Sequence, residues 1–77
     1  MALTIDAGRM QQFLIKTAES VARRTIPSRV EASKIGQYIA TWALENWGIV
    51  ALHYDTESLD AFEVIEQVTR DALVHFD

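Results

Sequence analysis

The two histidines are the residues of this chain best suited to metal or acid–base chemistry. His75 follows Asp71 by four positions, so the two side chains would share one face of a helix and could supply two metal ligands. A metal site needs more than two protein ligands, and no cysteine or third histidine exists to complete one. We therefore expect His75 to interact with the last carbonyl groups of its helix, and we expect no metal or other cofactor.

The second histidine stands in the sequence His53-Tyr54-Asp55, whose residue types can carry out general acid–base catalysis. Alternate residues of an extended segment share a face, so His53 would lie beside Asp55 and apart from Tyr54. We interpret the pair as an ordinary structural hydrogen bond. The serines lack the Gly-x-Ser-x-Gly context of an activated nucleophile, and the three glycines are too far apart for a phosphate-binding loop. The sequence therefore predicts that the protein is not an enzyme.

The composition is that of one globular domain. Of the 77 residues, 49% are hydrophobic and 23% are charged, and we expect residues 1–77 to form a single helical domain. The chain has no cysteine and does not begin like a signal peptide. No apolar run approaches the roughly 18 residues that a membrane span needs. These features predict a cytoplasmic protein with no membrane partner.

Apolar residues recur at helical spacing over two long segments at the ends of the chain. The first predicted helix begins after Asp6 and runs to about Arg24, because Pro27 disfavours helical backbone in the residue before it. The last predicted helix runs from about residue 59 to residue 75. Together with a middle helix in the segment between them, these two helices predict an all-α fold of three helices.

The middle helix has the clearest boundary signals. Ser28 and Glu31 have the spacing of a capping box, which predicts that the helix begins there. Gly48 is expected to end the helix after Trp47 in a left-handed conformation. The apolar run that follows has the composition of a strand, so we expect a short extended segment at residues 49–54.

The second helix is apolar over most of its circumference, which is typical of a central helix packed on at least two sides. Tyr38 and Trp42 belong to its predicted core face, whereas small residues on the adjacent face would let another helix approach closely. A domain this small buries little surface, so we expect a second copy to supply additional stability. The predicted contact surface joins helix 2 to the extended segment through Ala32, Gly36, Ala40, Trp47, Ile49, Val50 and Leu52.

Charge is unevenly distributed along the chain. Residues 1–40 contain six basic and three acidic side chains, a net charge of +3, and residues 41–77 contain one basic and eight acidic, a net charge of −7. Solvated helix faces alone could account for this asymmetry. The asymmetry could also orient one copy of the chain against another.

The sequence favours a non-enzymatic protein–protein interaction module, such as an adaptor, regulator or assembly subunit, that forms a homo-oligomer and binds another protein. Two alternatives stay open. Basic residues around the first interhelical turn could contact nucleic acid, although the isoelectric point of about 5.0 argues against that partner. Acidic residues of the last helix could capture a basic protein surface. The candidate residues are Arg23, Arg24, Arg29 and Lys34 for nucleic acid, and Asp60, Glu63 and Glu66 for the basic partner.

Overall fold

The structure, a computed structural model, describes the backbone of residues 2–75 and the side chains of residues 8–75. Over residues 2–75 the chain forms four helices: α1 (Ala2–Thr25), α2 (Arg29–Glu45), α3 (Trp47–His53) and α4 (Ala61–Val74). No strand occurs within residues 2–75. The predicted all-α class is therefore confirmed, with one helix more than the sequence pattern predicted.

The boundary between α1 and α2 lies where the proline and the capping residues predict it. The backbone N–H of Ile26 still donates to the carbonyl of Ala22 at 2.8 Å, and the helix stops before Pro27. Ser28 then adopts an extended conformation, and its Oγ accepts a hydrogen bond from the backbone N–H of Glu31 at 3.3 Å. That bond satisfies one of the N–H groups that a helix leaves unpaired at its start.

The predicted extended segment at residues 49–54 is wrong, because most of it forms α3. The break between α2 and α3 occurs at Asn46, whose backbone N–H and Nδ2 both donate to the carbonyl of Trp42, at 2.9 and 2.8 Å. Gly48 lies inside α3, and no residue in the described range has a positive φ, so the predicted left-handed stop is also wrong. An apolar strand without a neighbour would leave its backbone groups unpaired, whereas a short helix satisfies part of them internally.

Helices α1, α2 and α4 form a three-helix bundle. Phe62, near the start of α4, lies beside the middle of α1, and Leu73, near its end, lies beside Thr25, so α1 and α4 run in the same direction. Leu44, near the end of α2, lies beside Met10, so α2 runs the opposite way. α1 packs against both other helices more extensively than they pack against each other, so α1 and not α2 is the central helix. The buried hydrophobic residues are Leu14, Ala18, Val21, Ala22, Ala32, Ile39, Ala40, Ala43, Val50, Val64, Ile65, Val68 and Leu73.

The small-residue face of α2 packs inside the chain. A Cβ atom added to Gly36 would lie 2.6 Å from the Cα of Glu19, so the backbones of α1 and α2 approach too closely there for any side chain. Ala32 and Ala40, one turn to either side, are fully buried. The close helix approach that these residues predicted does occur, but the helix that approaches is the chain's own α1. Ala32, Gly36 and Ala40 therefore offer no surface to a second copy in this fold.

Candidate functional site

An apolar groove runs between α2 and α4, and we call it the aromatic groove. Its α2 wall consists of Tyr38 and Trp42, which lie one helical turn apart and are 68% and 42% exposed. Its volume is about 330 Å³, and buried Ile39 lies between the two aromatic residues on the same helix. Large aromatic side chains left this open are available to contact another molecule.

The α4 wall of the aromatic groove is formed by Val68, Ala72 and His75. These residues follow one another at intervals of four and three positions, so they form one ridge along the helix. The backbone N–H of His75 donates to the carbonyl of Ala72 at 3.0 Å and closes the last turn of α4. The groove therefore lies between two ridges of side chains, and its polar side-chain groups are the Tyr38 hydroxyl, the Trp42 indole N–H and the His75 imidazole.

The two tryptophans differ in burial from what the sequence predicted. Trp42, expected in the core, lines the aromatic groove, whereas Trp47, expected at an interface, is half-buried against the core. The cause is the helix break at Asn46, which turns Trp47 out of α2 and into α3. Of the predicted contact residues on α3, Val50 is buried and contributes to the core, while Ile49 and Leu52 are exposed.

The residues with possible acid–base chemistry do not form the predicted pairs. Asp55 accepts hydrogen bonds through Oδ1 from the backbone N–H groups of Ser58 and Glu57, at 3.1 and 3.3 Å. The bond from Ser58 contributes most to lowering the pKa of Asp55. His53 is exposed at the end of α3. The carboxylate of Asp55 thus stabilises the turn before α4, and the predicted hydrogen bond between it and His53 is not found in this structure.

Tyr54 connects the end of α3 to α4. Its hydroxyl donates to Oδ2 of Asp71 at 2.5 Å. Burial, followed by this hydrogen bond and the negative charge of Asp71, raises the pKa of Tyr54 to about 12. Within the part of the chain that the structure describes, no three histidine, aspartate or glutamate side chains converge as a metal site requires.

The predicted basic cluster is divided between two surfaces. One open depression of about 550 Å³ lies at the α1–α2 turn, and we call it the basic depression. It is lined by Arg23, Arg29 and Lys34, together with Val30 and Ser33. The guanidinium of Arg23 also lies 3.7 Å from the carboxylate of Glu19, one turn earlier on α1. Arg24 instead lines the groove between α1 and α4.

Two of the three acidic candidates on the last helix already have partners in the chain. Asp60 is the N-cap of α4, and its Oδ1 accepts a hydrogen bond from the backbone N–H of Glu63 at 2.9 Å. Glu66 forms an ion pair with Arg70 at 3.0 Å. Only the carboxylate of Glu63 has neither kind of contact among the described residues. The acidic face of α4 is thus partly used to stabilise its own helix.

Sequence reasoning missed the aromatic groove because it assigned Tyr38 and Trp42 to the core face of a central helix. One signal was present, namely a Tyr and a Trp at a spacing of four, which projects two large aromatic rings from one side of a helix. None of the helices within residues 2–75 has the length and apolar character that crossing a membrane requires. The chain matches no protein-family model, and no curated protein and no solved structure is significantly similar to it.

Proposed function

We propose that the protein is a non-catalytic protein–protein interaction module whose aromatic groove receives an amphipathic helix of a partner protein. The observation that supports this proposal is the exposure of Tyr38 and Trp42 side by side on α2, above an apolar wall from α4. Tyrosine and tryptophan are among the residues that contribute most to binding energy at protein interfaces.

The shape of the groove favours a helix as the bound segment. Two antiparallel helices present parallel ridges of side chains with a furrow between them, and a third helix packs into such a furrow through residues spaced three and four apart. The ridge of Val68, Ala72 and His75 has that spacing. A bound helix would complete a four-helix arrangement and remove the exposed aromatic surface from water, a gain of about 25 cal/mol per Å².

Peptide selection tests this proposal without knowledge of the natural partner. Peptides selected from a displayed library against the wild-type protein are expected to carry apolar residues at helical spacing. Replacing Trp42→Ala should weaken their binding by about 30-fold, the effect of losing an interface residue worth about 2 kcal/mol. Isothermal titration calorimetry measures the difference.

The matched control is Val30→Ala, which truncates another exposed apolar side chain of α2 that lines the basic depression instead. It should leave peptide affinity within about twofold of wild type, the small effect of most residues outside an interface. Peptides that bind Trp42→Ala as tightly as the wild-type protein would show that the groove is not the binding surface.

A second candidate function is binding of nucleic acid at the basic depression, and the convergence of Arg23, Arg29 and Lys34 favours it. Duplex affinity would then fall steeply with salt, because each phosphate contact releases counterions. Arg29→Glu should abolish binding, whereas Arg24→Glu, an equal change of charge on a different groove, should weaken it much less. Equal losses for both variants, or no binding at low salt, would exclude this function.

A further inference from the structure

The groove between α1 and α4 combines exposed aromatic rings with charges of both signs. Phe13 on α1 and Phe62 on α4 are 50% and 37% exposed, and both line the groove, whose volume is about 310 Å³. In the sequence, both rings fall at the helical spacing of the apolar residues in α1 and α4. α1 and α4 leave them uncovered because no element of the chain lies outside this pair of helices in the described range.

The two walls of this groove carry opposite charge. Lys16 and Arg24 lie on α1 two turns apart, and neither forms an ion pair with any residue that the structure describes. Glu66 lines the α4 wall, where its carboxylate is ion-paired with Arg70 at 3.0 Å, and Glu63, exposed one turn earlier, has no ion-pair partner among the described residues. Around its phenylalanine rings the face therefore has a basic side on α1 and a side on α4 whose net charge, with Glu63, Glu66 and Arg70, is negative.

We propose that this α1–α4 face binds a second copy of the chain around a two-fold axis parallel to the two helices. The proposal concerns a surface separate from the aromatic groove and does not depend on the function assigned to it. Because α1 and α4 run in the same direction, such an axis places α1 of each copy over α4 of the other. Lys16 of one copy then faces Glu63 and Glu66 of its partner, Arg24 lies further along the helix at the level of Arg70, and the four phenylalanine rings meet at the axis.

Charge selects this arrangement over the other two-fold arrangement of the same face. An axis perpendicular to the helices would stack α1 on α1 and α4 on α4, so that basic walls oppose each other and acidic walls oppose each other. Like charges placed together at an interface cost binding energy, whereas complementary patches favour association and fix its orientation. The face is thus self-complementary in only one of these two orientations.

A charge-exchange experiment tests the proposal with the whole chain. The first variant is Lys16→Glu with Arg24→Glu, and the second is Glu63→Lys with Glu66→Lys. At low salt, light scattering should give the wild-type protein about twice its monomer mass of 8.7 kDa. Each variant alone should be monomeric, because both of its walls then carry the same sign, and an equimolar mixture of the two should recover the dimer mass.

Circular dichroism establishes that the variants fold, and Phe13→Ala gives a test that leaves every charge unchanged. This variant should weaken dimerisation at least tenfold, whereas Tyr38→Ala, which truncates an exposed ring of the aromatic groove, should leave dimerisation unchanged. A wild-type protein that stays monomeric at millimolar concentration would overturn the proposal. So would dimerisation of either charge variant alone, or loss of the dimer in Tyr38→Ala.

Discussion

Gly36 of α2 lies directly against the backbone of Glu19 in α1, where an added Cβ would stand 2.6 Å from Cα and 2.7 Å from N. The Glu19 carboxylate reaches across the same contact and accepts hydrogen bonds from Ser33 Oγ at 2.9 Å and from Gln37 Nε2 at 3.3 Å. A close backbone contact and a polar bridge between α1 and α2 therefore occur at one place.

Gly36→Ala should destabilise the protein because the atoms it would meet are backbone atoms of α1, which cannot move without displacing the helix. We expect a net loss of about 1–3 kcal/mol in the free energy of unfolding, even though alanine is intrinsically the better helix former. Urea denaturation measures the change.

Gly8→Ala is the matched control, since no atom that the structure describes lies within 4 Å of a Cβ added there and the residue is exposed within α1. This variant should stabilise the protein by about 0.5–1 kcal/mol. Equal responses of the two glycines to alanine would contradict close packing at Gly36.

Trp47→Ala should destabilise the fold more than Trp42→Ala. Trp47 packs against the core, and removing a large core side chain commonly costs about 3–5 kcal/mol, somewhat less where the ring is half-buried. Trp42 is 42% exposed, so its truncation should cost about 1 kcal/mol or less, as for most surface changes. Thermal unfolding of both variants gives the comparison, and a larger loss for Trp42→Ala would place that ring in the core.

Tyr54 should titrate late, with a pKa near 12 in the folded protein. An ordinary tyrosine, as in the unfolded chain, has a pKa of about 10. Because the folded pKa is the higher one, the stability linked to Tyr54 is fully present below about pH 10 and is lost as the pH rises toward 12. Ultraviolet absorbance of phenolate in a Tyr38→Phe background reports Tyr54 alone. Asp71→Asn should lower its pKa only in part, because burial is the larger cause, and an unchanged pKa would argue against the hydrogen bond.

Ser28 and Asp60 should each contribute to stability as N-caps of α2 and α4. Replacing either with alanine should cost about 1 kcal/mol, because one backbone N–H loses its partner. Asp60→Ala should cost the more of the two, since its bond is the shorter one and its charge also interacts with the helix dipole. Chemical denaturation of both variants measures this order, and the reverse order would mean that the charge of Asp60 contributes nothing.

The boundary between α1 and α2 is a local feature, so the sequence was sufficient to predict it, whereas α1 begins at Ala2 and not after Asp6 as predicted. Ser28 caps α2 as expected, and Pro27 ends α1 within one residue of the expected position. The break at Asn46 was not predictable from pattern alone, because Asn46 follows a continuous apolar arc and only its Nδ2 bond to the Trp42 carbonyl marks the end of α2. Without that break, Trp47 and the segment after it were assigned to the wrong element.

The candidate site was harder to predict because periodicity identifies an apolar face but not the element that covers it. The small-residue face of α2, with Ala32, Gly36 and Ala40 spaced four apart, gives the same sequence pattern whether the helix that packs on it belongs to the same chain or to another. In the structure the approaching helix is α1. It packs on the face of α2 that contains Gly36 and leaves Tyr38 and Trp42 exposed. Choosing between intrachain and interchain contacts requires the relative placement of three helices, which no local pattern encodes.

Fluorescence of Trp42 tests the proposed function most directly. In a Trp47→Phe protein, Trp42 is the only tryptophan, and its 42% exposure gives it the emission of a partly hydrated ring. Adding a peptide selected against the wild-type protein should shift that emission to shorter wavelength and saturate at one peptide per chain, because the bound helix excludes water from the groove. An emission spectrum that stays unchanged while calorimetry shows full binding would place the partner elsewhere and contradict the assignment of the aromatic groove.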